Sequence, residues 1–216
     1  MATVSETIVE QSVHDFKALG VLKEGHFERH DGKHTRWYFH SHPLFYTGAL
    51  WRAVQDLVAV IPLEVLDQID IVAGPQFAGN VIAQGMINII SSNGPMTRES
   101  VHCVPIEKQF KLVGSNLGKT SYHVRRFYQD VLPDKKVLLV DDVVASGKTI
   151  VKCVRLLESM KARVIASVCI ANLSHVKDAT QYSIWNQPPN HADVYDRGSC
   201  PMCKSDDPEI RKITKF

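Results

Sequence analysis

Residues 137–149 read Val137-Leu138-Leu139-Val140-Asp141-Asp142-Val143-Val144-Ala145-Ser146-Gly147-Lys148-Thr149, with two adjacent carboxylates between an apolar run and a turn of small residues. The uninterrupted run from Val137 to Val140 is what a central parallel strand requires. Asp141 and Asp142 fall where that strand emerges. Neighbouring strand side chains point to opposite sides, so at least one acid faces a cleft. The turn Ala145-Ser146-Gly147-Lys148-Thr149 then opens a helix, whose first backbone N–H groups and dipole suit a phosphate. The hydroxyls of Ser146 and Thr149 can add hydrogen bonds. An anion site beside two acids fits a sugar phosphate, with the carboxylates on the ribose hydroxyls and the turn on the phosphate.

A nucleoside-triphosphate loop is the main competing reading of Gly147-Lys148-Thr149. It needs a glycine five residues before the glycine of Gly-Lys-Thr. That position holds Asp142, and for the second such triplet, Gly118-Lys119-Thr120, it holds Val113. Neither triplet fits.

The elements that must carry this stretch follow from periodicity. Ile8, Val9, Val13, Phe16 and Leu19 repeat at helical spacing, and Gly20 is a natural stop. Residues 25–42 read as hairpin, with Asp31-Gly32 as turn, and Pro43 opens a helix expected to run to about Ile61. Ile69 to Ala73 is a short strand, followed by the turn Gly74-Pro75-Gln76-Phe77-Ala78-Gly79 and a helix to about Ser92. Val101 to Ile106 is strand-like, and residues 108–120, polar with two glycines, read as a mobile loop. After the strand at 136–140 come an amphipathic helix at about 148–160 and a strand from Arg163 to Ala171. Strands alternating with helices predict an α/β fold, a mostly parallel central sheet flanked by helices on both faces. Ligands bind at the carboxyl ends of such strands, where the turns at 74–79 and 145–149 fall.

The bulk properties agree. A chain of 216 residues can bury one sizeable α/β core. A net charge of +2 is too small to suggest nucleic acid or an anionic membrane surface. No apolar run spans a bilayer and the first residues lack signal-peptide character, so no membrane association and a cytoplasmic location are expected. The five cysteines, Cys103, Cys153, Cys169, Cys200 and Cys203, are odd in number, which argues for reduced thiols.

Residues 137–149 resemble the 5-phosphoribosyl pyrophosphate (PRPP) motif of the type I phosphoribosyltransferases. Other stretches resemble the orotate branch: Gly25-His26-Phe27, Gly32-Lys33 and Trp37-Tyr38-Phe39 its N-terminal hairpin, and Gly74 to Gly79 its pyrophosphate loop. Arg125-Arg126-Phe127 and Cys200-Pro201-Met202-Cys203-Lys204 resemble a subgroup with a Cys-Pro-x-Cys tail. The resemblance spans roughly residues 15–205. It implies a single domain over 1–216, with a small hood from the N-terminal hairpin and C-terminal tail, approximately 1–42 and 175–216.

The resemblance also implies the mechanism. A base nitrogen attacks ribose C1 and pyrophosphate leaves through an oxocarbenium-like transition state, so the protein mainly positions groups and stabilises charge. Asp141 and Asp142 would hold the ribose hydroxyls, residues 145–149 (Ala145, Ser146, Gly147, Lys148 and Thr149) the 5-phosphate, and Gly74, Pro75, Gln76, Phe77, Ala78 and Gly79 the pyrophosphate, with Val143 and Val144 also among the PRPP-binding residues. Mg2+ would bind through PRPP and water rather than a protein cage. Lys108 and Lys111 match the loop cations that meet the leaving group, on a loop expected to cross into the partner of a homodimer. Tyr38, Phe39, His30 and Ala145 fall at the base. Trp37, Tyr38 and Phe39 either flank a planar base or simply alternate between core and surface.

The departures concern the acceptor. Ala78, His30 and Ala145 replace the lysine, lysine and threonine common in orotate enzymes, and Ser174 stands near the position of a base-binding arginine. Losing a cation opposite a buried carboxylate costs roughly 2–5 kcal/mol, which leaves Lys23, Arg36, Arg125 and Arg126 as substitutes. A purine base as acceptor, or a non-catalytic sensor of PRPP, are the alternatives to orotate. Cys200-x-x-Cys203 is half of a zinc site by spacing. His191, Asp193 and Cys103 are the available further ligands, so paired thiols or a plain tail motif are the expectation. His26, His30 and His34 read as a solvated hairpin rather than a metal site. No Ser–His–Asp or Cys–His arrangement points to covalent catalysis.

Overall fold

Strand β6 (Lys136–Val144) divides its side chains between two cores, and this division organises the large sheet. Val137 and Leu139 pack with Ile71, Ala73, Val104 and Leu157, whereas Leu138 and Val140 pack with Val72, Ile82, Met86 and Val168. A strand covered on both faces needs apolar residues at every position, which is why 137–140 carries no polar residue. The computed structural model describes residues 4–29, 32–93, 101–113, 116–174, 181–187, 194–204 and 210–212.

β6 pairs in parallel with β3 (Ile71–Pro75) and β7 (Arg163–Asn172). β3 in turn pairs with β4 (His102–Val113), and β7 with β8 (Gln181–Asn186), again in parallel. With β5 (Asn116–His123) antiparallel to β4, the six strands run in the order β5-β4-β3-β6-β7-β8. Helices α1 (Val4–Ala18), α3 (Ala49–Ala59) and α5 (Ala78–Asn93) lie over one core, and α7 (Lys148–Ser159) over the other. Short helices α2 (His42–Phe45), α4 (Leu63–Leu66) and α6 (Arg126–Gln129) lie in the connections. This is the α/β arrangement expected from the sequence. No helix among the described residues is long and apolar enough to cross a membrane.

Three local expectations change. The helix from Pro43 to Ile61 is two helices, because Thr47 intervenes. Its hydroxyl donates to the Pro43 carbonyl (2.9 Å) and accepts the Ala49 N–H (3.3 Å), closing α2 and starting α3. Residues 108–113 and 116–120 are not a loop but belong to the β4–β5 ribbon, with Lys108 opposite Tyr122 and Leu112 opposite Leu117. The period-two alternation Gln109-Phe110-Lys111-Leu112 was the strand signal there, outweighed by the glycines and lysines around it. β8 extends the large sheet rather than joining the hairpin.

The hood is a second sheet, in the order β10-β1-β2-β9. Its centre is the hairpin of β1 (Leu22–Glu28) and β2 (His34–Phe39), and its edges are β9 (Val194–Tyr195) and β10 (Arg211–Lys212). Gly32, at φ +76°, supplies the left-handed residue of the turn that closes through Gly32 N–H to the Arg29 carbonyl (2.9 Å). The hairpin is as expected, but His26 and His34 are not solvated. His34 is 0 % exposed and His26 is buried with it, because both point to the face covered by the tail. His30 lies outside the described residues.

Candidate active site

A cleft of about 330 Å³ opens at the carboxyl ends of β3 and β6, beside Lys108 in the middle of β4. Asp141, Asp142 and Thr149 line it from the β6 side, residues 75–78 and Lys108 from the β3–β4 side, and Ser41, His42 and Phe45 from α2. Tyr122 completes it from β5. The acid pair, the Gly74–Gly79 turn and Lys108 were separated in sequence; the parallel sheet brings them to one opening.

Both acids face the cleft. The Asp142 N–H donates to Asp141 Oδ1 (3.0 Å), and the Ser41 hydroxyl donates to Asp142 Oδ2 (2.5 Å). Burial, and then the Asp142 charge, push the Asp141 carboxyl well above the usual carboxylate range, while Lys108 draws it back. Ser41 stands at the start of α2 without capping it, its hydroxyl being committed to Asp142. Sequence reasoning missed Ser41, which lies 101 residues from its partner.

The turn after β6 reaches α7 through Gly147, whose φ of +69° favours glycine over any side chain. Ala145, Ser146 and Lys148 are exposed there, leaving the first N–H groups of a twelve-residue helix open to an anion. The Thr149 hydroxyl lies 3.3 Å from the Tyr122 hydroxyl, which ties the turn to β5. Val144 is core and Val143 packs partly against the opposite core, so their contribution to the site is restricted to backbone.

Close packing of backbone shapes the turn at 74–79. A Cβ on Gly74 would overlap the Gly79 carbonyl, and one on Gly79 would lie 2.7 Å from the Val140 carbonyl oxygen. The glycines therefore let this turn close upon itself and upon the end of β6. The Gln76 N–H donates to the Ile106 carbonyl (2.7 Å), and its side-chain oxygen accepts the Lys108 N–H (3.3 Å). Phe77 is 70 % exposed at the rim, with its ring 6.1 Å from that of Phe45. Lys111 lies in β4, and its side chain is outside the described residues.

The aromatic triplet of β2 alternates. Trp37 and Phe39 turn inward against Trp185, at ring distances of 5.8 and 6.4 Å, and Phe39 also meets Phe16 at 5.6 Å. Only the backbone of Phe39 remains for a base. Tyr38 faces the other way and stacks on His40 (5.8 Å), which meets His42 (5.1 Å) at the cleft wall. Tyr38, His40 and His42 thus form a ring path from the hood to the cleft.

The substitute cations differ in availability. Arg125 forms an ion pair with Glu107, whose other oxygen takes His123 at 3.2 Å. Ser174 is held by Asn172 through its N–H (3.0 Å) and hydroxyl (2.9 Å). Burial pushes the Cys153 and Cys169 thiols up to about 12, which leaves neither a nucleophile near neutrality. Two carboxylates are too few for an all-protein magnesium cage, and no other carboxylate lines the cleft among the described residues. They fit an ion that receives most of its oxygens from a bound diphosphate and water.

The family model described as "Phosphoribosyl transferase domain" matches residues 46–189. Orotate phosphoribosyltransferase of Thermoanaerobacter sp. (strain X514) is 21 % identical over 202 residues, covering 94 % of this chain and 95 % of that protein. Among solved structures, orotate phosphoribosyltransferase from Aeropyrum pernix is similar with a TM-score of 0.58 and 17 % identity, covering 80 % of this chain and 92 % of the other. Adenine phosphoribosyltransferase from Saccharomyces cerevisiae has a TM-score of 0.55 and 15 % identity, covering 81 % and 99 %.

Proposed function

The chain belongs to the phosphoribosyl transferase domain family and is a phosphoribosyltransferase; from that premise we propose that it joins orotate to PRPP, giving orotidine 5'-monophosphate and pyrophosphate. One observation carries the reading of the donor site. Asp141, Asp142, the turn at 74–79 and Lys108 share one cleft, with the helix-opening turn 145–149 beside it. The orotate nitrogen attacks ribose C1, the bond from C1 to the diphosphate oxygen breaks, and the electron pair leaves on pyrophosphate.

Asp141 and Asp142 orient the ribose hydroxyls and offset positive charge developing on the ring. The amides of 145–149 hold the 5-phosphate, and those of 74–79 approach the diphosphate. Lys108 stabilises the negative charge left on pyrophosphate. Magnesium, when bound with PRPP, neutralises diphosphate charge. The base lies toward Tyr38 and the Phe39 backbone, with Ala145 at its edge. A cytoplasmic homodimer, with Lys111 on a ribbon that reaches the partner's cleft, belongs to the same proposal.

Orotate is favoured over a purine because the likeness to the Thermoanaerobacter relative extends well beyond residues 46–189, into the regions that form the hood. The test is to incubate the protein with PRPP, magnesium and, separately, orotate, uracil, hypoxanthine, guanine, xanthine and adenine, measuring pyrophosphate. Release with orotate alone is expected. Release only with a purine moves the acceptor to salvage chemistry, and tight PRPP binding without release for any base makes the protein a sensor.

A further inference from the structure

Four side chains from both ends of the chain meet inside the hood: His26 of β1, His34 of β2, and Cys200 and Cys203 of the tail. Their ligand atoms all lie within 4.8 Å of one another. We propose that they bind one zinc ion, which fastens the C-terminal tail to the N-terminal hairpin.

Two of the separations match a tetrahedral site and two are shorter than it by about 0.5 Å. Zinc–sulfur bonds of about 2.3 Å and zinc–nitrogen bonds of about 2.0–2.1 Å put sulfur and nitrogen about 3.6 Å apart and two nitrogens about 3.3 Å apart. Here both Cys200 Sγ and Cys203 Sγ lie 3.6 Å from His26 Nε2, and Cys203 Sγ lies 3.1 Å from His34 Nδ1. His26 Nε2 and His34 Nδ1 are 2.8 Å apart. Small outward movements give each atom a bond length.

The backbone accounts for the convergence. His34 pairs with Glu28 across the hairpin, and the register irregularity between Glu24 and Phe27 brings His26 against it, with the two rings 4.8 Å apart. Cys200 precedes, and Cys203 lies within, a single turn of 3₁₀ helix at Met202–Lys204, closed by the Lys204 N–H on the Pro201 carbonyl (3.1 Å). That spacing lets both sulfurs point to one place.

Chemistry favours a metal over hydrogen bonding alone. A hydrogen bond between the two rings satisfies one donor and one acceptor, yet two thiols also aim at the same point. The inward nitrogens, His26 Nε2 and His34 Nδ1, are the ones that face the two sulfurs, which is the orientation ligation requires. Zinc with two thiolates and two neutral imidazoles has no net charge, which suits a site whose Cys200 and His34 are fully buried. Four protein ligands leave no open position, so the site is structural and not catalytic. The hood also needs such a fastening, since β9 and β10 are two residues each.

The full-length protein is loaded with zinc under a thiol reductant, passed over chelating resin and assayed for metal. About one zinc per chain is expected, with Cys203→Ser and His34→Ala each retaining at least about tenfold less. Should those variants fail to fold, cobalt(II) in the wild type decides. A tetrahedral spectrum with thiolate-to-cobalt charge transfer supports the site, and a spectrum without that charge transfer overturns it. Wild type that keeps no zinc, a Cys203→Ser protein that keeps as much as wild type, or a Cys200–Cys203 disulfide found by mass in reductant-treated protein overturns it as well. Metal content is read without any nucleobase, so this outcome stands apart from that of the orotate assay.

Discussion

Replacing Asp141 with asparagine is expected to stabilise the fold while removing activity. Asp141 is only 9 % exposed. Burial and then the Asp142 charge raise its pKa well above the ordinary value, with Lys108 opposing them. A group whose folded value lies above its unfolded one stabilises the fold fully below the unfolded pKa, near pH 4, and loses that contribution as pH rises through the folded value. At neutral pH the ionised carboxylate therefore costs folding free energy. Asparagine keeps an oxygen to accept the Asp142 N–H and carries no charge. The relief is on the order of 1–3 kcal/mol, the range for a poorly compensated buried polar group, or about 2–12 °C in Tm for a chain of this length. Scanning calorimetry at neutral pH and near pH 4 measures it, and the gain should shrink at the lower pH, where the wild-type carboxyl takes up its proton. Pyrophosphate release should fall about 10- to 100-fold for each charged hydrogen bond to ribose that is lost. A variant less stable than wild type at neutral pH, or a gain of the same size at both pH values, would refute the reasoning.

Gly74→Ala forces a Cβ into the Gly79 carbonyl, so it should cost about 1–3 kcal/mol of stability by overpacking and weaken PRPP binding by calorimetry; an unchanged Tm with unchanged binding contradicts the close packing. Lys108→Ala should cut turnover by far more than it weakens PRPP binding, and unchanged turnover would reject its role at the leaving group. Phe39→Ala removes contacts with Phe16 and Trp185 and should cost about 3–5 kcal/mol of stability. Tyr38→Ala should instead raise KM for the base, with KM for PRPP nearly unchanged. The reverse pattern between Phe39 and Tyr38 would mean that the faces of β2 are misassigned.

The donor half of the cleft was legible because its signals are local. An apolar run, two acids, a turn and a helix start lie within residues 137–149, and each follows from strand or helix geometry without reference to distant residues. The β4–β5 ribbon was misread because glycines and lysines hid a short period-two pattern. Contacts between distant residues were not legible at all. Nothing near Ser41 indicates that its hydroxyl will meet Asp142, and Cys200-x-x-Cys203 displayed half a ligand set while the other half lay 174 residues away from Cys200 at His26. Reading His26 and His34 as part of a solvated hairpin removed the reason to see them as ligands. In a hairpin, cross-strand register sets them together, and register is not visible in either strand alone.

The two halves of the site are held by different forces, and this bears on how the acceptor is chosen. The donor half is built on strands buried on both faces, where Gly74, Gly79 and the β6 backbone pack too closely to shift. Tyr38 and His40 belong to the hood, which is anchored inward by Phe39 and Trp37 and outward by two-residue edge strands and the His26–His34–Cys200–Cys203 cluster. Few of those outer contacts involve the large sheet. A change in hood sequence can therefore reposition Tyr38 or the residues beside it without disturbing Asp141, Asp142 or the turn at 145–149. Of the three departures from the orotate pattern, Ala78 and Ala145 sit in the donor-half turns at 74–79 and 145–149, so they change side chains on that half while its acid pair stays in place.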